Sequence, residues 1–324
     1  MIRFGIIGAG RIAHTFAQAI AATSGKIHAV ASRDINRAKS FQKAYGIERA
    51  YDSYQALYKD SAVDIVYVAT PHGLHEAQMQ EALTYQKALL TEKAFTLNAA
   101  QARGILERAN AQNVFVMEAM WTRFLPVIQA VQDVLETGTI GPLKELHATF
   151  SFAGDLNKAG RLVNPHLGGG ALLDVGIYPL TVADLFGTLD GTITSDVKQT
   201  DTGVDGWNQI HIHTPDSKMV LESGILEDKP RHATLIGTQG RIEIPAFWSA
   251  QEAFVYTHEG TLITHINTPH VVNGFEYEIQ AVIDDLEAGR IENTIMPHAT
   301  TLRLLDVMDQ LRQSWGVRYP SEKV

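Results

Sequence analysis

Short apolar runs alternate with stretches of helical spacing through the first third of the chain. Residues 2–7, 27–31, 63–69, 88–91 and 114–117 are runs of strand length, the third of them rich in β-branched side chains. Between them, residues 11–22, 35–45, 74–86 and 98–110 read as helices. Strands that alternate with helices predict βαβ units and a parallel sheet, and right-handed crossovers then give a doubly wound Rossmann domain. The pattern changes after Trp121. A helix over 124–136 and a strand over 143–152 lead into a Gly-rich segment and an apolar helix near 171–186. From there, strands follow one another at 193–199, 209–213, 218–223, 232–236, 241–244 and 253–257, with turns between. That succession predicts an open, mostly antiparallel sheet, closed off by helices near 275–288 and 298–314. The expected fold is therefore α/β followed by α+β, with a Rossmann domain over 1–120 and a second domain over 121–324. One face of the open sheet lacks covering helices, and Val220, Ile225, Leu235 and Ile244 are expected in or beside it.

Length agrees with two domains, because 324 residues exceed what one hydrophobic core fills. With 27 basic against 36 acidic residues the net charge is -9, which repels a phosphodiester backbone, so no nucleic-acid partner is expected. No continuous apolar run is long enough to predict a membrane span. The apolar stretch over 1–10 is too short and too Gly-rich for a signal peptide, so a cytoplasmic location is expected. There are no cysteines, which excludes disulfides, thiolate metal sites and a Cys nucleophile. His211 and His213 alternate on one strand, but no third ligand is evident and no metal site is expected.

The chemistry begins at Gly8-Ala9-Gly10-Arg11-Ile12-Ala13, between the first strand and the first helix. This is the G-x-G-x-x-A form of the dinucleotide fingerprint. Gly8 permits the tight turn, Gly10 lets the backbone approach a pyrophosphate, and Ala13 keeps the helix close to the sheet. The helix N-terminus at Arg11 and Ile12 offers free N–H groups to the anion. The second strand ends Ala31-Ser32-Arg33-Asp34. Ser32 and Arg33 stand where a 2′-phosphate would lie, with Arg37 one turn further on, while Asp34 is placed to cap the next helix. NADP is therefore expected over NAD, with NAD still possible.

Three further segments join the fingerprint: Ala69-Thr70-Pro71-His72-Gly73-Leu74-His75, Glu92-Lys93-Ala94-Phe95, and the run from Gly168-Gly169-Gly170 through Asp174 to Tyr178-Pro179. Together they resemble the glucose-fructose oxidoreductase / inositol dehydrogenase (Gfo/Idh/MocA) family. The segment from Met117 through Trp121 and Arg123 to Phe124 looks like the branch of dimeric dihydrodiol dehydrogenases and NADP-dependent xylose dehydrogenases. One position departs: Ala94 stands where the family's Glu-Lys-Pro carries proline, which loosens that turn.

The resemblance implies hydride transfer between a nicotinamide cofactor and a hydroxyl-bearing carbon of a small sugar, polyol, cyclitol or dihydrodiol, in a homodimer or homotetramer. It makes Lys93, Tyr178 and Asp174 the catalytic candidates. An ammonium at Lys93 would stabilise the oxyanion that develops, and would help a phenol at Tyr178, with an ordinary pKa near ~10, to carry the proton. Asp174, four residues before Tyr178, would orient the substrate or hold Lys93. Thr70 and Pro71 look like the family's cofactor-lining turn, with Glu92, Trp121 and Arg123 as further cofactor-side candidates. His75 is counted with them, although a structural hydrogen bond is the first reading of it. Arg161 and His166 are candidate contacts to substrate hydroxyls. Two alternatives stay open: an NAD-dependent glycoside hydrolase of the same fold, and a non-catalytic dinucleotide-binding regulator.

Overall fold

The computed structural model describes residues 1–322 and divides into two compact units. The first comprises Met1–Trp121 and His270–Arg303; the second comprises Thr122–Pro269 and the chain from Leu304 onward.

In the first unit the elements run β1 (Arg3–Ile7), α1 (Arg11–Ala19), β2 (Lys26–Ala31), α2 (Ile35–Tyr45), β3 (Arg49–Tyr51), α3 (Tyr54–Lys59), β4 (Ile65–Val68), α4 (His75–Thr84), β5 (Ala88–Glu92), α5 (Ala99–Gln112) and β6 (Val116–Ala119). All six strands are parallel, in the order β3-β2-β1-β4-β5-β6, so the strand order reverses between β1 and β4. That reversal opens the crevice in which doubly wound sheets bind ligands. The apolar runs are continuous because both faces of the central strands are covered: every residue of β4 is fully buried. Phe16 of α1 stacks on Tyr67 of β4, with ring centroids 4.0 Å apart. Side chains cap the helices where polar residues precede them, with Asp34 accepting from the Asn36 N–H, Ser53 from Ala56 and Asn98 from Gln101. β3 and α3 are additions to the sequence reading. β3 is a three-residue edge strand, Arg-Ala-Tyr, without a fully buried position, so it leaves no apolar run to recognise.

The second unit holds α6 (Pro126–Glu136), β7 (Leu143–Ser151), a π-helical turn at Leu172–Gly176 and α7 (Ile177–Phe186). Its remaining strands are β8 (Thr192–Gln199), β9 (Asp205–His213), β10 (Lys218–Gly224), β11 (His232–Gly237), β12 (Gly240–Pro245), β13 (Glu252–Thr257) and β14 (Leu262–Asn267). They form one sheet in the order β14-β13-β12-β11-β7-β10-β9-β8. All its pairings are antiparallel except that of β7 with β10. The helical segment Pro165–Phe186 is long and apolar enough to cross a membrane by length and composition, and 89% of its apolar 18-residue stretch is buried inside the protein. It is a core helix, with α7 against β7, β10 and β11.

Registers correct the expected composition of the uncovered sheet face. Ile225, Leu235 and Ile244 are fully buried. Of the four residues expected there, only Val220 lies on the opposite face, in a cross-strand row with His211, His147, Thr234, Glu243 and Phe254. The physical reason is the period of two: Leu235 and Ile244 alternate with the polar Thr234 and Glu243, and the apolar set goes to the core.

The chain then returns to the first unit through α8 (Phe275–Glu287), which packs against α1, and α9 (His298–Trp315) follows. The units therefore differ from a simple division at 120/121, because 270–303 contributes to the Rossmann core. Ile279, Val282 and Ile283 of α8 are fully buried there. The face assignment is testable by urea denaturation. Leu235→Ala is expected to destabilise by about 2–5 kcal/mol, the usual loss for a buried leucine, and Val220→Ala by less than half as much. Equal losses would contradict the register.

Candidate active site

The phosphate-binding turn is shaped by sterics. Gly8 has φ +93°, and a Cβ there would lie 2.8 Å from the Ala69 carbonyl oxygen and 2.9 Å from the Thr70 methyl. Its N–H donates to the Ala31 carbonyl at 3.1 Å, which ties the turn to β2. At Gly10, by contrast, a Cβ would meet nothing within 4 Å. Gly10 is the N-cap of α1 and no side chain caps that end. An open approach to uncapped N–H groups at the carboxyl edge of a parallel sheet is what a pyrophosphate requires. At the end of β2, Ser32 is buried and its hydroxyl accepts from the Asp34 N–H, while Arg33 and Arg37 are exposed. These residues fit a nicotinamide dinucleotide, with two exposed cations, Arg33 and Arg37, just beyond the end of β2 for a 2′-phosphate.

The loops after β4 and β5 are held together by histidines. His75 is fully buried; its Nε2 lies 2.8 Å from the Thr70 carbonyl, and its Nδ1 lies 3.1 and 3.2 Å from the Ala94 and Phe95 carbonyls. Burial holds its pKa below the usual value, against hydrogen bonds that pull upward. His72 Nε2 lies 3.1 Å from the Lys93 carbonyl, and the Phe95 N–H donates to Glu118 at 3.0 Å. The turn at Ala94, expected to be loose without proline, is thus tied down from both sides; its Lys93–Ala94 peptide is cis. Thr70 donates to Gln78 at 2.5 Å, and Pro71 starts the short helical turn His72–Leu74. Lys93 is half-buried.

Glu92, Glu118 and Glu278 are buried carboxyl groups of the first unit. Glu92 is buried and accepts from the Tyr67 hydroxyl. Glu118 also accepts from the Thr301 hydroxyl at 2.8 Å. Glu278, on α8, is fully buried, and neither of its oxygens has a hydrogen-bond partner among the described residues. Burial holds its pKa well above the usual carboxylate range, and the charge of Glu92 pushes the same way. Trp121 packs on Phe275 with ring centroids 4.8 Å apart, in the same unit.

In the second unit the Gly168–Gly170 run is a packing device. A Cβ at Gly169 would lie 2.8 Å from the Leu162 carbonyl oxygen, and Gly170, at φ +121°, would put one 2.4 Å from Asp205. The expected helix over 171–186 opens as a π-turn: the Ile177 N–H reaches the Leu172 carbonyl, five residues back. π-turns are frequent at functional sites. Asp174 sits in this turn, 6% exposed, and pairs with Arg161 at 2.8 Å. Tyr178 follows in the first turn of α7. Its ring stacks on Phe150 at 5.4 Å, and Phe150 packs on Trp248 at 4.5 Å. The Arg231 guanidinium lies 5.7 and 5.6 Å from those last two rings.

Some sequence candidates turn out to be spoken for structurally. Arg123 is buried and pairs with Asp184 of α7 at 2.9 Å, which suits packing. The His166 side chain is exposed, and its N–H is held by the Asn164 cap at 2.9 Å. Arg161 meets Asp174 itself. Sequence reasoning missed Tyr67, Glu118, Glu278, Phe150, Trp248 and Asp205. Glu278 carried a signal: at 275, 278, 279 and 282 it falls on the apolar stripe of α8.

Glu278 also makes a stability prediction. In the unfolded chain it ionises above about pH 4.3, whereas burial raises its native pKa, so the folded chain holds the proton to higher pH. Its contribution is most favourable below the unfolded pKa and is lost as pH rises toward the raised native value. Glu278→Gln does not ionise. Its stability relative to the unaltered chain is therefore expected to grow with pH above about 4.3, at up to ~1.4 kcal/mol per pH unit. Urea denaturation of both proteins between about pH 5 and 8 measures this. A difference that does not change with pH would show that the group is ionised in the native state.

Residues 2–120 match the Gfo/Idh/MocA profile described as an oxidoreductase family with an NAD-binding Rossmann fold, and residues 128–243 match the Gfo/Idh/MocA C-terminal domain. A trans-1,2-dihydrobenzene-1,2-diol dehydrogenase of Mus musculus is 33% identical over 99% of both chains, and one of Xenopus tropicalis is 34% identical over 98% of this chain and 99% of that one. Among solved structures, a 3-ketoreductase from Actinomadura kijaniata in complex with NADP and TDP-benzene superposes with a TM-score of 0.87 at 26% identity, covering 96% of this chain and 97% of that chain. An aldose-aldose oxidoreductase from Caulobacter crescentus shares the fold, with a TM-score of 0.88 at 20% identity over 97% of each chain. The chain belongs to the Gfo/Idh/MocA family and is an NAD(P)-dependent oxidoreductase of the dehydrogenase type.

Proposed function

We propose that this enzyme interconverts a secondary alcohol and a carbonyl on a small cyclic diol, sugar or cyclitol, with NADP as its preferred coenzyme. The observation that carries the reading is the open, uncapped N-terminus of α1 at Gly10, set beside the strand-order reversal of the parallel sheet. The names of the relatives support the substrate class, and the NADP complex of the ketoreductase supports the coenzyme.

The bound nicotinamide would supply the hydride acceptor or donor. The chain supplies the rest. Residues 8–12 would hold the pyrophosphate, and Ser32, Arg33 and Arg37 the 2′-phosphate. Tyr178 is proposed to take the hydroxyl proton in oxidation and return it in reduction. Lys93 would stabilise the oxygen as negative charge develops on it. Asp174, paired with Arg161, would orient a substrate hydroxyl. Phe150 and Trp248 suit a ring substrate, because aromatic faces pack on ring C–H groups while the hydroxyls keep polar partners. We also propose a homodimer or homotetramer; the Val220–Phe254 row on the helix-free sheet face is the surface that would meet a second copy.

Three measurements test the reading. Titration should show NADP binding more tightly than NAD. Arg33→Ala should weaken NADP by about 1.5–3 kcal/mol, the value of a hydrogen bond to a charged group, and leave NAD almost unchanged; tighter NAD binding by the unaltered protein refutes the coenzyme assignment. Lys93→Met and Tyr178→Phe should each lower kcat by roughly 10²–10⁴, and the double variant by far less than the product, since groups acting together are not additive. A Tyr178→Phe enzyme with full single-turnover rate would remove Tyr178 from the proton step. Light scattering that returns the mass of a single 35.6 kDa chain would exclude the oligomer.

A further inference from the structure

Asp205 opens β9 and is fully buried in the second unit. Its Oδ2 accepts the Leu172 N–H at 2.7 Å and the Asn208 side-chain N–H at 2.9 Å. Its Oδ1 has no hydrogen-bond partner among the described residues, and it faces the space beside Gly170. Leu172 is the first residue of the π-turn. The same network reaches the other end of that turn. Ser223 donates to Asn208 at 2.9 Å, and its hydroxyl lies where a Cβ on Gly176 would come within 2.8 Å. A second anchor comes from the C-terminal segment. The buried Tyr319 hydroxyl donates to the Gly169 carbonyl at 2.7 Å. Arg312 lies over the Tyr319 ring at 4.8 Å and bonds Glu322 at 2.7 Å, and Glu322 also accepts the Tyr319 N–H at 2.9 Å.

The arrangement has a mechanical meaning. A helix start normally leaves N–H groups without acceptors, and a π-turn widens the ladder that would otherwise hold the segment. Here the first free N–H of the turn is taken by a buried carboxylate on a sheet strand, so the turn is referenced to the rigid sheet. Burial pushes the Asp205 carboxyl up to about 6, which leaves it ionised and a strong acceptor at neutral pH. The Gly168–Gly170 run permits the close approach, because any side chain at Gly170 would strike Asp205. Asp174 lies two residues beyond Leu172 and Tyr178 six, so an error at Leu172 is passed to both.

We propose that Asp205 is a positioning residue for the reaction: by holding the Leu172 N–H it sets the π-turn that carries Asp174 and aims Tyr178, with Tyr319 fixing the glycine run from the C-terminal segment. This rests on the reading of Tyr178 as the proton carrier. The residue touches neither substrate nor coenzyme in this role.

The test pairs hydrogen–deuterium exchange over residues 168–178 with steady-state kinetics, using NADP+ and trans-1,2-dihydrobenzene-1,2-diol or the best-used aldose. Asp205→Ala removes the acceptor, whereas Asp205→Asn keeps an acceptor oxygen of the same size. Asp205→Ala is expected to speed exchange in 168–178 by roughly tenfold or more and to lower kcat by roughly 10–100-fold, with coenzyme Kd unchanged. Asp205→Asn should restore both to within a few-fold. Tyr319→Phe, which removes one hydroxyl and no ring, should move both readouts the same way by less, and it serves if Asp205→Ala does not fold. Faster exchange with unchanged kcat would make the contact structural only and overturn the proposal; so would unchanged exchange in the acceptor-free variant. Tyr178→Phe run alongside separates the two ideas. If it keeps full rate, the proton-carrier assignment fails, and if exchange in 168–178 still responds to Asp205 with an equal fall in kcat, Asp205 positions some other group of that turn.

Discussion

Where a regular element stops inside a protein, its backbone N–H and C=O groups still need partners, and in each unit the proposed functional residues lie beside the answers to that requirement. Parallel strands β4 and β5 end in buried loops whose carbonyls have no ladder to join. His75 sets its two ring nitrogens against three of them, at Thr70 on one side and at Ala94 and Phe95 on the other, and the neutral ring donates its one N–H to one side. In the second unit the unmet group is a donor, the Leu172 N–H, and Asp205 accepts it. Each is a buried polar side chain whose removal would leave backbone groups unsatisfied, at about 1–3 kcal/mol apiece. Geometry at Lys93 and at Tyr178 follows from these anchors more than from the helices and strands themselves.

The same economy explains the acidic character of the first unit's interior. Glu118 is satisfied by the Phe95 N–H and the Thr301 hydroxyl, and Glu92 by the Tyr67 hydroxyl. Glu278 has no such partner among the described residues, and burial favours its protonated form. Phe16 stacks on Tyr67, so the aromatic layer under α1 also aims the hydroxyl that reaches Glu92. Packing and charge are one arrangement here: moving α1 would disturb the phosphate-binding turn and the carboxyl group beside Lys93 together.

In the second unit the proposed proton carrier is set among aromatic rings and near a salt-bridged carboxylate. Tyr178 stacks on Phe150, and Phe150 packs at a tilt on Trp248, which leaves the phenol ring few orientations. Asp174 is neutralised by Arg161, a pair with one buried and one half-exposed partner. In the proposed role of Asp174, a substrate hydroxyl would meet it without displacing a fully buried ion pair, which would be far more expensive.

Local pattern alone determined much of this protein. The alternation of buried runs and helical spacing specifies a doubly wound sheet because strands covered on both faces must be apolar throughout, and Gly8 and Gly10 announce the phosphate turn because a side chain would collide at one and obstruct at the other. The motifs at 69–75, 92–95 and 168–178 were legible because their spacing is short and their residue types unusual. Long-range contacts decided the rest. The edge strand β3 has no hydrophobic signature. The return of 270–303 to the first unit depends on α8 finding α1, and no window of sequence records a contact between residues so far apart. Leu235 and Val220 look alike in sequence, but register sends one to the core and the other to the helix-free face. Arg123 and Arg161 were legible as cations and not as the partners of Asp184 and Asp174. Asp205 is an ordinary acid at the start of a strand until folding brings it to Leu172, thirty-three residues away, where a free N–H needs an acceptor.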